Sequence, residues 1–192
     1  MRIEEEKITL KDGRILSLRS AEEKDAQTML DYLIKTAEET HFLVRYPEEI
    51  SPDLEKEKEI INNTLEAEDS VWFTVFDGDK AVGNCAIACH RNQIKLKHRC
   101  DFAIAIEQAY CGCGLGTILM TKAIDKAREL GFEQLELGVF ADNEKGIALY
   151  KKMGFKEMGR NLKAFKQKDG TYIDEINMIL FLFEISPKFF SK

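Results

Sequence analysis

No stretch of this chain is apolar for long. The longest unbroken run, Met178 to Phe183, is six residues, where a membrane-spanning helix needs about 20. The opening Met1-Arg2-Ile3-Glu4-Glu5-Glu6-Lys7 lacks the apolar segment of an export signal, so a cytoplasmic protein with no membrane partner is expected. Positive charge is also in deficit: 28 Lys and Arg against 34 Asp and Glu leave a formal charge of −6. That balance argues against nucleic acid as a partner and suits cationic amines better. Cysteine is present but without a framework, since five is an odd number and free thiols follow in a chain with no export signal. Cys85, Cys89, His90, His98 and Cys100 show no paired Cys-x-x-Cys spacing, so no metal is expected and the thiols read as small core residues.

Two phosphate-binding motifs are missing as well. Gly116 is followed by Thr117-Ile118, with no lysine placed for a nucleotide γ-phosphate. The third glycine of a dinucleotide fingerprint would fall at Thr117, and no early βαβ unit precedes it.

What is present is a composition of 44% hydrophobic and 32% charged residues over 192 positions, enough for one domain, 1–192, with an ample core. No internal repeat or linker divides it. Ile15-Leu16-Ser17-Leu18-Arg19 alternates like a strand, and Ser20 with Glu22 and Glu23 starts a helix running to about Ala37. A second helix is expected over 53–66, then strands over 72–76, 81–89 and 98–106, the first two joined by Asp77-Gly78. A helix to Leu130, a strand over 135–140, a helix over 143–153 and strands from Phe155 to Gly159 and from Tyr172 to Phe183 complete a mixed α/β order. The tail from Ser186, with Phe189 and Phe190, is expected to pack back or to meet a partner.

The chain is organised around Tyr110-Cys111-Gly112-Cys113-Gly114-Leu115-Gly116. Three glycines at alternate positions separate the strand-like Asp101 to Ile106 from Leu115, Ile118, Leu119, Ala123, Ala127 and Leu130 at helical spacing. Such a turn is either a plain tight connection or an anion cradle, because glycine permits positive φ and the first helix amides lack internal partners. A second segment, Asn143 to Phe155, places Ala148-Leu149-Tyr150 and then Gly154-Phe155 after the strand Leu135 to Phe140.

Together the two segments, within residues 70–183, resemble the GNAT acyltransferase superfamily, most nearly its ribosomal-protein and small-amine members. The resemblance implies a GNAT-type fold with a mixed sheet of six to seven strands, an antiparallel N-terminal meander and about four flanking helices. It implies acetyl-CoA as co-substrate and direct acetyl transfer to a primary amine of a small molecule, an amino acid or a protein N-terminus, by a monomer or homodimer. Main-chain groups of Ile104, Ala105 and Ile106 would align the cofactor, Gly112, Cys113, Gly114, Leu115, Gly116 and Thr117 would hold its pyrophosphate, and Asn143 would lie nearby. Tyr150 is implied as general acid to the departing thiolate.

Two departures matter. Cys111 stands where the family carries Arg or Gln, which removes a side-chain charge from the cradle. The base glutamate of the ribosomal-protein relatives aligns with Gly138, so Glu136, on the same face of the strand, becomes the base candidate, with Glu107 as the other. Phe42 and Arg45, between the first two helices, are candidates for the acceptor wall, with His41 and Tyr46 beside them. A non-catalytic acyl-CoA-binding or regulatory domain, a different acyl chain, and a redox module on Cys111 and Cys113 are the competing readings.

Overall fold

The computed structural model describes residues 1–183; the expectation for the tail from Ser186 falls outside them. In chain order the elements are β1 (Glu6–Thr9), β2 (Ile15–Arg19), α1 (Ala26–Glu39), α2 (Leu54–Glu66), β3 (Ser70–Asp77), β4 (Lys80–Cys89), β5 (Arg99–Ile106), α3 (Leu115–Glu129), β6 (Gln134–Phe140), α4 (Glu144–Lys152), β7 (Lys156–Lys166) and β8 (Tyr172–Phe181). The mixed α/β class is as expected, but the strands among the described residues number eight, in the order β1-β2-β3-β4-β5-β6-β8-β7. The strand beyond the expected count is β1, whose Glu-Lys-Ile-Thr buries only Ile8 among apolar residues and shows no alternation to read.

The chain gathers into two compact units: Met1–Ala88 with Phe102–Ala123, and Cys89–Asp101 with the described residues from Ile124 onward. In the first, β1 to β4 form an antiparallel meander. Helices α1 and α2 cover it with Met29, Tyr32 and Ile61, which pack with Phe76 of β3 and Ala81 of β4. Full burial of side chains of this size contributes about 1.5–3 kcal/mol each. Helix α1 begins later than the expected start at Ser20 because Asp25 is already engaged. Its carboxylate accepts the Glu22 amide at 2.8 Å and the Arg19 guanidinium at 2.6 and 2.9 Å, and Glu23–Asp25 form a 3-10 turn instead.

In the second unit, residues 99–101 of β5 pair in parallel with 134–136 of β6, a ladder of three residue pairs. β6 then runs antiparallel to β8, and β8 to β7. Leu135, Leu137 and Val139 of β6 are buried with Ile176 and Met178 of β8, while Glu136, Gly138 and Phe140 point to the opposite face. β7 extends well past the expected end at Gly159. Its ladder is interrupted between Glu157 and Gly159 and again between Asn161 and Phe165, and Lys163 sits at φ 54°. Such bulges erase the period-two pattern by which a strand is recognised.

Candidate functional site

In the first unit the glycine turn has the geometry an anion cradle needs. Gly112 has φ +79° and Gly114 φ +95°, values that L side chains rarely adopt. Gly116 differs in kind, being the second residue of α3. The first internal acceptor of that helix is the Gly114 carbonyl, reached by the Ile118 amide at 3.1 Å. The amides of Leu115, Gly116 and Thr117 are therefore left at the positive end of the helix dipole. A Cβ on Gly112 would point into open space, so an anion can come up to the backbone there.

The turn is fastened from beneath by the β1–β2 connection. The Lys11 amide donates to the Cys113 carbonyl at 3.0 Å, and a Cβ on Gly114 would meet the Lys11 side chain at 3.2–3.5 Å. Lys11 is exposed and was not singled out from the sequence, which gives no sign that residue 11 lies under residue 114. Cys113 is buried and its thiol donates to the Tyr110 carbonyl at 2.9 Å, whereas Cys111 is exposed. Tyr110 in turn donates to Asp77 at 2.7 Å and lies under the Arg14 guanidinium, 4.5 Å from its ring. On β5, the Ala105 carbonyl accepts the Tyr32 hydroxyl at 2.8 Å. Ile104, Ala105 and Ile106 lie beyond the three-pair ladder.

Glu107 closes that strand and is the largest departure from expectation in this unit. Expected as a base candidate, it is 0% exposed. Oε2 accepts Lys35 at 2.7 Å and Lys80 at 2.9 Å, while Oε1 has no hydrogen-bond partner. A carboxylate so enclosed ties α1 and β4 to the root of the turn. Phe42 is half-buried, with its ring 4.2 Å from that of His41. Arg45 is exposed, and its charge opposes the upward shift that burial imposes on Glu57. A surface cavity of about 630 Å³ lined by Glu5, Arg19, Asp25 and Phe76 shares no lining residue with the glycine turn.

In the second unit, Asn143 caps α4: its Oδ1 accepts the Gly146 amide at 2.9 Å. A Cβ at residue 146 would lie 2.8 Å from the Asn143 amide nitrogen, which explains the glycine. Tyr150, 9% exposed, has its ring 6.1 Å from Phe155. Burial pushes its phenol up to about 12. Glu136 is not the open base candidate expected. Both its oxygens are held by Arg99, at 2.5 and 2.6 Å, and it is 7% exposed. A carboxylate gripped on both oxygens by a guanidinium in this two-pronged way has neither oxygen open to an acceptor amine. Beside it, the place of a side chain at Gly138 is filled from β8, where Glu175 Oε1 would stand 2.1 Å from a Cβ. Glu175 carries no motif in the sequence, although a glycine inside a strand signals close approach by another group.

Among the described residues, no group of three or more His, Cys, Asp or Glu is placed to hold a metal ion. No helix there is long and apolar enough to cross a membrane.

A mixed sheet, a short parallel ladder and a glycine turn opening the helix after β5 define a GNAT-type fold. The model of the acetyltransferase (GNAT) family matches residues 31–155, and the chain belongs to that family. It is 32% identical over 103 residues to an L-amino acid N-acetyltransferase of Escherichia coli K12. That match covers 53% of this chain and 62%, less than two thirds, of the relative. Among solved structures, an acetyltransferase of the GNAT family from Streptococcus pneumoniae superposes with a TM-score of 0.81 at 27% identity, over 86% of this chain and 99% of that one. A phosphinothricin acetyltransferase from Sinorhizobium meliloti in complex with acetyl-CoA shares the fold, with a TM-score of 0.74 at 17% identity over 86% of this chain and 88% of that one.

Proposed function

We propose that the protein is an N-acetyltransferase that moves an acetyl group from acetyl-CoA to a primary amine by direct transfer. The observation that carries this reading is the turn of left-handed Gly112 and Gly114 opening α3 in a chain of this family. When bound, acetyl-CoA supplies an acetyl group already activated as a thioester. The cradle fits its pyrophosphate: the amides of residues 112–117 donate, Gly112 leaves the approach clear, and Lys11, against Gly114, supplies a positive charge where Cys111 offers none. In this reading the main chain of Ile104, Ala105 and Ile106 aligns the pantetheine arm, the Ile106 amide facing the thioester oxygen. Asn143 fixes the start of α4 and holds the cofactor near it. Tyr150 keeps its proton at neutral pH, as a general acid to the leaving sulfur must. Phe42 and Arg45 belong to the acceptor wall.

Two observations favour a free amino acid or a small cationic amine as acceptor: the likeness to an L-amino acid N-acetyltransferase of Escherichia coli and the formal charge of −6.

The test has two arms. Thermal unfolding with millimolar acetyl-CoA should show a raised Tm, because a ligand of the native state stabilises it by mass action. Thiol release should then be followed with a panel of L-amino acids, an alanyl peptide and spermidine. A Tm shift without thiol release from any amine would leave an acyl-CoA-binding domain and overturn the transferase. Absence of both would overturn cofactor binding as well.

A further inference from the structure

Gly138 is the one residue of β6 without a side chain, and a carboxylate occupies the space this leaves. Glu175 stands opposite Phe140 on β6 and Asn161 on β7. Its side chain nevertheless crosses diagonally to Gly138, where a Cβ would meet Oε1 at 2.1 Å and Cδ at 2.9 Å. The neighbour opposite Gly138 is Asn177, a neutral amide. Asn161 Nδ2 donates to Glu175 Oε2 at 2.8 Å, which anchors one oxygen and leaves the other over bare β6 backbone. Two carboxylates of β5 and β6 are differently placed: Glu136 is closed by Arg99 and Asp101 is bonded to His90. Among the described residues the hydrogen-bond partner of Glu175 is an amide, and the side chain is half-buried. An amide donor orients a carboxylate without adding a positive charge beside it.

We propose that Glu175 is the general base of the transfer, reaching from β8 into the place a side chain at residue 138 would fill. This rests on the N-acetyltransferase reading above. The acceptor enters as an ammonium and gives one proton to Oε1. The nitrogen lone pair so freed forms the C–N bond to the acetyl carbon as the C–S bond breaks. The sulfur takes a proton from Tyr150, the second surplus proton on nitrogen restores the phenol by way of water, and Glu175 releases its own proton to solvent. One ammonium and one thioester thus become one amide, one thiol and one free proton.

Glu175→Gln keeps the shape of the side chain and removes its basicity. With the best amine of the panel, kcat/KM should fall about 10²-fold or more, the usual range for a lost general base, at unchanged Tm and unchanged acetyl-CoA affinity. Calorimetric titration of the same amine into the CoA-saturated protein should show weaker binding, since the carboxylate also holds the ammonium. Moving the carboxylate supplies the stricter arm: Glu175→Ala/Gly138→Glu returns it from β6 and should exceed Glu175→Ala alone by tenfold or more in kcat/KM. Unchanged kcat/KM in Glu175→Gln overturns the base while the transferase stands, as does a double variant of normal Tm no faster than Glu175→Ala. A wild-type protein that turns over no amine overturns the transferase reading and the base with it.

Discussion

Burial keeps the Tyr150 phenol protonated across the whole neutral range, with a value pushed up to about 12. An acid this weak is still stronger than water, and it is held in one place by its ring packing with Phe155. Tyr150→Phe should therefore lower kcat roughly 10²-fold under chemistry-limited conditions, with acetyl-CoA affinity and Tm little changed. Unchanged kcat would reassign the tyrosine to packing alone. Glu57 shows the same effect of burial at a carboxyl. Its carboxyl lies above its ordinary value of 4.5 because burial disfavours the charge, against the pull of Arg45, and its Oε1 is buried without a hydrogen-bond partner. A raised folded value means that the stability it contributes is complete below the ordinary glutamate value and is lost as pH rises through the folded one. Glu57→Gln should thus raise Tm at neutral pH, and the gain should vanish as the pH falls below 4.5; a gain independent of pH would point to another cause. Tyr150 was legible because a short motif carries it. Glu136 and Glu107 were not, because their burial depends on Arg99, Lys35 and Lys80, residues remote in sequence.

Among the elements, the glycine turn was the most legible and the second half of β7 the least. A turn of alternate glycines before an amphipathic run is a local signal, and its two positive φ values arose where the glycines stood. The bulged stretch of β7 takes its strand character from pairing with β8, which no alternation in 160–166 announces. Residues 10–15 carried no functional sign either, yet they supply the floor of the turn. Gly114→Asp places a Cβ at φ +95°, within 3.2 Å of Lys11, at a cost on the order of 1–3 kcal/mol for the backbone alone. It should abolish the Tm shift given by acetyl-CoA. Lys11→Met keeps most of the packing and removes the charge, and should weaken acetyl-CoA binding several-fold at low salt with less effect as salt rises. Equal affinity in both Lys11→Met and wild type at low salt would show that the helix amides hold the anion unaided.

At the scale of the whole molecule, class and order of elements followed from hydrophobic periodicity, since strand and helix runs here are long and cleanly punctuated. The family match, by contrast, starts at residue 31, after β1, β2 and Lys11. The contact of Lys11 with Cys113 and Gly114 therefore couples a segment ahead of the matched range to the glycine turn within it. A protein trimmed to begin at residue 31 should retain every signature residue and lose acetyl-CoA binding, measurable by calorimetry; undiminished affinity would deny the coupling. A change at residue 11 would then alter the hold on the co-substrate while leaving the glycine motif itself untouched.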